Sequence, residues 1–135
     1  MNTKPVLGAS DVTKILTAAT DFAETNNWAV AISVTDDGGH LLGMVRLDGA
    51  APMTAKMSEA KARTAAMGRR ETKIFEDIIA QGRVAFLSAP NLDGLLEGGV
   101  PVMVDGQIVG AVGVSGVKSS DDAEIARAGI AALKL

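Results

Sequence analysis

Apolar residues recur at helical spacing near the start of the chain: Val12, Ile15, Leu16, Ala19, Phe22 and Ala23 share one face, with Ser10 placed as a cap and Asp11 in the first turn. At Trp28 the period switches to two. Trp28, Val30, Ile32 and Val34 point one way and Ala29, Ala31 and Ser33 the other, which predicts a strand with one bulky and one thin face. Asp36–Gly39 reads as a turn and His40–Leu47 as the returning strand, with Leu41, Val45 and Leu47 on one face and His40, Leu42, Met44 and Arg46 on the other. Pro52 suits the first turn of a helix that runs to about Met67, and alanines at 55, 60, 62, 65 and 66 leave it little bulk. Thr72 is placed to cap a shorter helix that Gly82 closes at C′. Residues 83–97 combine an apolar run, a Pro-Asn turn signal and a Leu pair, and read as loop with room for one short strand.

The most distinctive stretch is 98–116, GGVPVMVDGQIVGAVGVSG. Two apolar runs flank Asp105-Gly106, a dipeptide that supplies the positive φ angles of a tight type I′ turn, so a hairpin is predicted. Glycines at 110, 113 and 116 then interrupt the second strand. Glycine inside a strand costs stability, so three of them imply that another backbone, a neighbouring subunit or a ligand lies against this ribbon. Beyond it, Asp121 with Glu124 resembles a capping box, and the last helix buries Ala126, Ile130 and Leu133.

Hairpins outnumber strand-helix-strand crossovers in this order, helix, two strands, two helices, two or three strands, helix. The expected fold class is therefore α+β: an antiparallel sheet of about four to five strands with helices packed against it. No repeat or linker divides the chain, and residues 1–135 read as a single domain.

Composition narrows the chemistry. No cysteine is present among 135 residues, so disulfide and thiolate chemistry are excluded, and any metal would rest on His40 and carboxylates. A net charge of −3 without a run of either sign gives no footprint for nucleic acid or an anionic membrane. The N-terminus carries no apolar signal segment and no apolar run reaches the roughly 18 residues of a membrane span, which predicts a cytoplasmic protein. Aromatics are scarce at 3%, so a base-stacking surface is not expected.

Three groups of residues could do chemistry. Arg46 and Asp48 sit where a strand runs into the helix bearing Lys61, Arg63 and Thr64, and a guanidinium beside a helix start can grip an anionic ligand such as a carboxylate. Equally, Arg46 and Asp48 could pair with each other or with Lys61 and Arg63 to fix the corner. His40, directly after a Gly-Gly turn, is the only side chain that titrates near neutral pH and the only imidazole for an iron or zinc; Met44 shares its strand face and is the methionine best placed to line a pocket. Ser115 is a further ligand-binding candidate; it lies in Gly113-Val114-Ser115-Gly116, which is not the nucleophile elbow of a serine hydrolase, and no phosphate-binding loop matches the ribbon.

VTDDGGHLLGMVRLDGA, KARTA, the 98–116 ribbon and the Asp121-Asp122 pair together resemble the GlcG/HbpS-like domain family, which includes the C-terminal domain of PduO-type corrinoid adenosyltransferases. The resemblance implies a compact α+β domain that assembles into homo-oligomers. It also implies haem as the ligand of some members and a setting in catabolic operons. Where the family shows Arg-Met-Asp-Gly, this chain has Arg46-Leu47-Asp48-Gly49. The first expectation is a small-molecule-binding protein, with haem a candidate ligand and a pocket among the first hairpin, the 53–67 helix and the ribbon. The alternative is an enzyme on a carboxylate-bearing catabolic intermediate, with Arg46 orienting substrate and Asp48 or His40 carrying a proton. A purely structural accessory oligomer is the third.

Overall fold

The computed structural model describes all residues, 1–135. Its elements run α1 (Ala9–Thr25), β1 (Ala31–Asp36), β2 (Leu41–Arg46), α2 (Met53–Gly68), α3 (Thr72–Ala80), a 3-10 turn (Val84–Ser88), β3 (Gly99–Val104), β4 (Gln107–Ser115) and α4 (Ser119–Ala131). The four strands form one antiparallel sheet in the order β2-β1-β4-β3, as the hairpin-rich pattern predicts. No helix is long and apolar enough to cross a membrane.

The two faces of the sheet differ because side chains alternate along each strand. Ile32, Val34, Val100, Val102, Val112 and Val114 point to one side and build the main core with Val12, Ile15 and Ala19 of α1 and Ile125 and Ala126 of α4. The opposite face presents Ser33, Thr35, Ala111, Gly113 and Ser115, all buried. Here α2 lies almost directly on the backbone: a Cβ on Gly113 would overlap the Ser58 carbonyl oxygen and the Ala62 nitrogen, and one on Gly99 would overlap the Lys61 carbonyl oxygen. Of the neighbours expected for the glycine ribbon, the one present is therefore another backbone, and it belongs to the same chain. It also fills the space in which a pocket was expected among the first hairpin, α2 and the ribbon.

The Asp105-Gly106 turn has the two positive φ angles, 50° and 77°, of the predicted type I′ hairpin. Other local details differ. Gly8, not Ser10, caps α1, because the Asp11 carboxylate reaches back to accept the Gly8 N–H at 2.8 Å. β1 begins at Ala31 instead of Trp28. A bulge between Val34 and Thr35 puts Leu41 opposite Thr35 while Met44 stays opposite Ser33, so Leu41 shares the side of Met44 and Arg46 and not that of Val45. Thr72 lies inside α3, where its hydroxyl accepts the Gly99 N–H at 2.8 Å. Residues 83–97 hold the 3-10 turn and no strand. Asp121 is in the first turn of α4, whose cap is Lys118.

Candidate functional site

Cross-strand pairing brings several of the expected residues to one side of the sheet. Arg46 lies opposite Ala31, which lies opposite Ser115, and Met44 lies opposite Ser33. Arg46 and Ser115 are thus separated by one strand, about 10 Å at the usual strand spacing. Ser115 is buried, whereas Met44 and Arg46 are exposed on the sheet's edge strand.

Lys61 sits deep in the layer beneath α2. Its ammonium donates to the Val114 carbonyl at 2.9 Å and to Asp122 Oδ2 at 3.2 Å, and both side chains are almost completely buried. Asp122 Oδ1 also accepts the Val117 N–H at 3.1 Å. Burial pushes the Asp122 carboxyl above the usual aspartate range, against the opposing pull of Lys61 and of the Val117 N–H. One ion pair thereby ties α2, β4 and the start of α4 together. Nothing local in the sequence marks Asp122 as the partner of Lys61, since they are 61 positions apart.

Arg63 and Thr64 hold the loop after the 3-10 turn. Both Asp93 oxygens accept from Arg63 at 2.8 Å, and the Thr64 hydroxyl accepts the Gly94 N–H at 3.1 Å. Arg46 and Asp48, in contrast, take part in no ion pair. The corner pairing is absent: Arg46 and Asp48 do not pair with each other, and Lys61 and Arg63 are bonded to Asp122 and Asp93 instead. Asp48 borders a shallow cleft of about 310 Å³ beside Trp28 and Leu47.

His40 stands on the β1–β2 turn with its side chain 82% exposed. Asp36 organises this turn: one of its oxygens accepts the N–H groups of Gly38 and His40, each at 2.9 Å, and the imidazole Nδ1 approaches the two carboxylate oxygens at 3.1 and 3.2 Å. A carboxylate only accepts, so Nδ1 carries the proton and the lone pair of the neutral ring is on the outward Nε2. Leu41, Leu42 and Met44 follow as exposed apolar side chains on the edge strand. Asp36 reads in the sequence as a turn former, and its grip on the imidazole emerges only once the turn closes.

The largest concavity lies elsewhere. A cleft of about 680 Å³ opens between α3, the 3-10 turn and residues 89–96, with apolar walls that include Ile79, Leu87 and Leu92 and with Glu76 and Asp93 as its charged groups. Apart from Glu76 and Ile79 of α3, its walls come from the segment whose sequence has no clear periodicity.

Comparison with known proteins agrees with this architecture. The chain is 56% identical over 115 residues to protein GlcG of Escherichia coli K12, covering 85% of each. Its fold matches the crystal structure of a double mutant of Streptomyces reticuli HbpS with a TM-score of 0.89 at 31% identity, over 98% of this chain and 90% of that one. A structure of PduOC in complex with haem shares the fold, with a TM-score of 0.86 at 24% identity over 95% of both chains. Residues 7–131 match the model of the family described as haem degrading protein HbpS-like, and the chain belongs to that family.

Proposed function

We propose that the protein is a haem-binding accessory protein of a catabolic pathway, acting in the cytoplasm as a homo-oligomer, with His40 as the iron ligand. The observation behind this reading is the Asp36–His40 pair, in which a carboxylate holds Nδ1–H and leaves Nε2 free, the arrangement that orients metal-ligating imidazoles. The donor set fits haem at this position: a free imidazole nitrogen stands at the head of the edge strand on which Leu41, Leu42 and Met44 are exposed apolar side chains. The 680 Å³ cleft does not fit it, because no His, Met or Lys lines that cleft and its carboxylates would face the propionates with like charge. Bound haem would supply one-electron and oxygen chemistry. This chain supplies the imidazole, the carboxylate that aims it and one apolar wall, and a second copy would cover the rest. The family description and the haem complex of PduOC support the choice of ligand.

Titration with hemin tests this. A Soret shift is expected in the wild type, absent in His40→Ala and weakened about 10–100-fold in Asp36→Asn, the usual effect of losing the group that orients a metal ligand. An unchanged spectrum in His40→Ala would overturn it.

A second reading rests on the unpaired Arg46 and Asp48. In it the protein is an enzyme on a carboxylate-bearing intermediate, Arg46 orients the substrate and Asp48 or His40 moves a proton. Arg46, which pairs with no protein carboxylate, is available to a substrate one.

A further inference from the structure

The cleft beside α3 is built, not left over. On one side the loop is pinned to α2 by Arg63–Asp93 and Thr64–Gly94, and Gly94 comes so close that a Cβ there would overlap the Ala60 backbone. On the other, α3 and the 3-10 turn are joined by Phe75 and Phe86, whose ring centroids are 5.7 Å apart. These ties hold the loop away from α3 and keep open a volume of about 680 Å³, within the range of about 300–1,000 Å³ usual for small-molecule sites. Leu87 and Leu96 are 66% and 45% exposed along it, which leaves apolar surface uncovered.

The charge in this cleft has one sign. No Lys, Arg or His lines it. Asp93 is neutralised by the two bonds from Arg63. Glu76 has only a long bond of 3.4 Å from the Glu97 N–H, and Lys73, one turn away, is paired to Asp77 at 3.1 Å. Lys73 is close enough to feel the Glu76 charge but makes no bond to it, so the carboxylate keeps its oxygens free for a ligand. On an apolar wall it attracts a cation more strongly than it would in open water, and repels an anion by the same argument.

We propose that this cleft binds a small organic cation, an ammonium group on an apolar body, with Glu76 receiving the ammonium and Ile79, Leu87 and Leu92 covering the body. No residue of the His40 turn lines this site, and it does not depend on haem.

Binding of 2-phenylethylammonium, followed by NMR shifts of the leucine and isoleucine methyl groups, tests the assignment against 3-phenylpropionate, which has a similar body and the opposite charge. The amine should bind saturably, at least tenfold more tightly than the carboxylate and at least tenfold more tightly than to Glu76→Gln, in line with the loss of one charged hydrogen bond. Leu87→Ala, at a solvent-exposed position, should weaken it several-fold, and His40→Ala should leave it unchanged. Absence of saturable amine binding, binding undiminished in Glu76→Gln, or equal binding of the carboxylate through Arg63 would each overturn the proposal. Because hemin titration reads His40 and the amine reads Glu76, failure of either reading is visible without the other.

Discussion

The two faces of the sheet hold their helices by different means. On the α1/α4 side, Ile32, Val34, Val112 and Val114 interlock with Ile15 and Ile125, and attraction comes from the volume of the side chains. On the α2 side there is almost no side-chain volume. Gly113 and Ala111 let the helix rest on the strand, and what would be core is a set of small polar contacts: the Ser33–Ser58 hydroxyl pair at 2.7 Å, the Lys61–Asp122 ion pair and the Thr35 hydroxyl, which has no partner. A face built on volume tolerates loss of a methyl group. A face built on proximity does not tolerate a gain.

The sharpest way to break this contrast is one substitution on each face. Gly113→Val forces three carbons into the Ser58 carbonyl and the Ala62 backbone, which cannot retreat without moving α2, and should cost about 4 kcal/mol or more. Ile32→Val, on the opposite face, removes one methylene and should cost about 1 kcal/mol. Urea midpoints measure both. The ribbon's contact with α2 lies within one chain, so Gly113→Val should lower stability at every protein concentration. A variant that kept its stability and only dissociated into smaller species would transfer the ribbon to a subunit contact.

The ion pair sharpens the comparison at a smaller scale. Asp122→Ala leaves the Lys61 ammonium buried with only the Val114 carbonyl and should cost about 3–4 kcal/mol, whereas the double variant Lys61→Met/Asp122→Leu should recover most of that loss. Recovery would mean that the α2 face can be held by apolar volume after all. Failure of the double variant to recover would mean that the polar contacts specify how α2 sits.

What was legible in the sequence was local. The Asp105-Gly106 turn, the alternating strands and the helical stripe of α1 each depend on residues close in the chain, and their elements are found where expected. The bulge was not legible, since nothing in HLLGM shows that Leu42 is the extra residue, and with it the face of Leu41 changed. The glycine ribbon was legible as a close approach but not as to its neighbour, because α2 is set against it by tertiary packing alone. Of the candidate residues, Arg46, Met44 and His40 could be recognised by type, yet the partner of His40 could not: Asp36 grips it only after the turn closes, and most of the cleft comes from residues 83–97, which have no period to read. Its carboxylate Glu76 carries no sequence signal beyond being one charge on α3.

The smallest effect lies in the turn that holds His40, outside both packed faces. Burial works to raise the Asp36 carboxyl but is outweighed by the N–H groups of His40 and Gly38 and by the imidazole, so it titrates below the ordinary aspartate value. A hydrogen bond from Lys4 holds Asp37 low as well, with the charges of Lys4 and Arg69 helping. Both carboxylates bind protons less readily folded than unfolded. Their contribution to stability is therefore complete above about pH 4, the unfolded value, and is lost as the pH falls through the depressed folded values. Asp122, raised in the folded state, has the opposite slope, so the turn must be isolated by difference. With side chains 31% and 38% exposed, screening limits the loss to about 1 kcal/mol at most. Urea unfolding at pH 6 and at pH 3 should show a smaller acid loss in Asp36→Asn than in the wild type, with Asp122 unchanged in both. Equal losses would place the acid sensitivity in carboxylates other than Asp36, because Asp122 has the wrong slope to supply it, and would leave the His40 turn indifferent to acid.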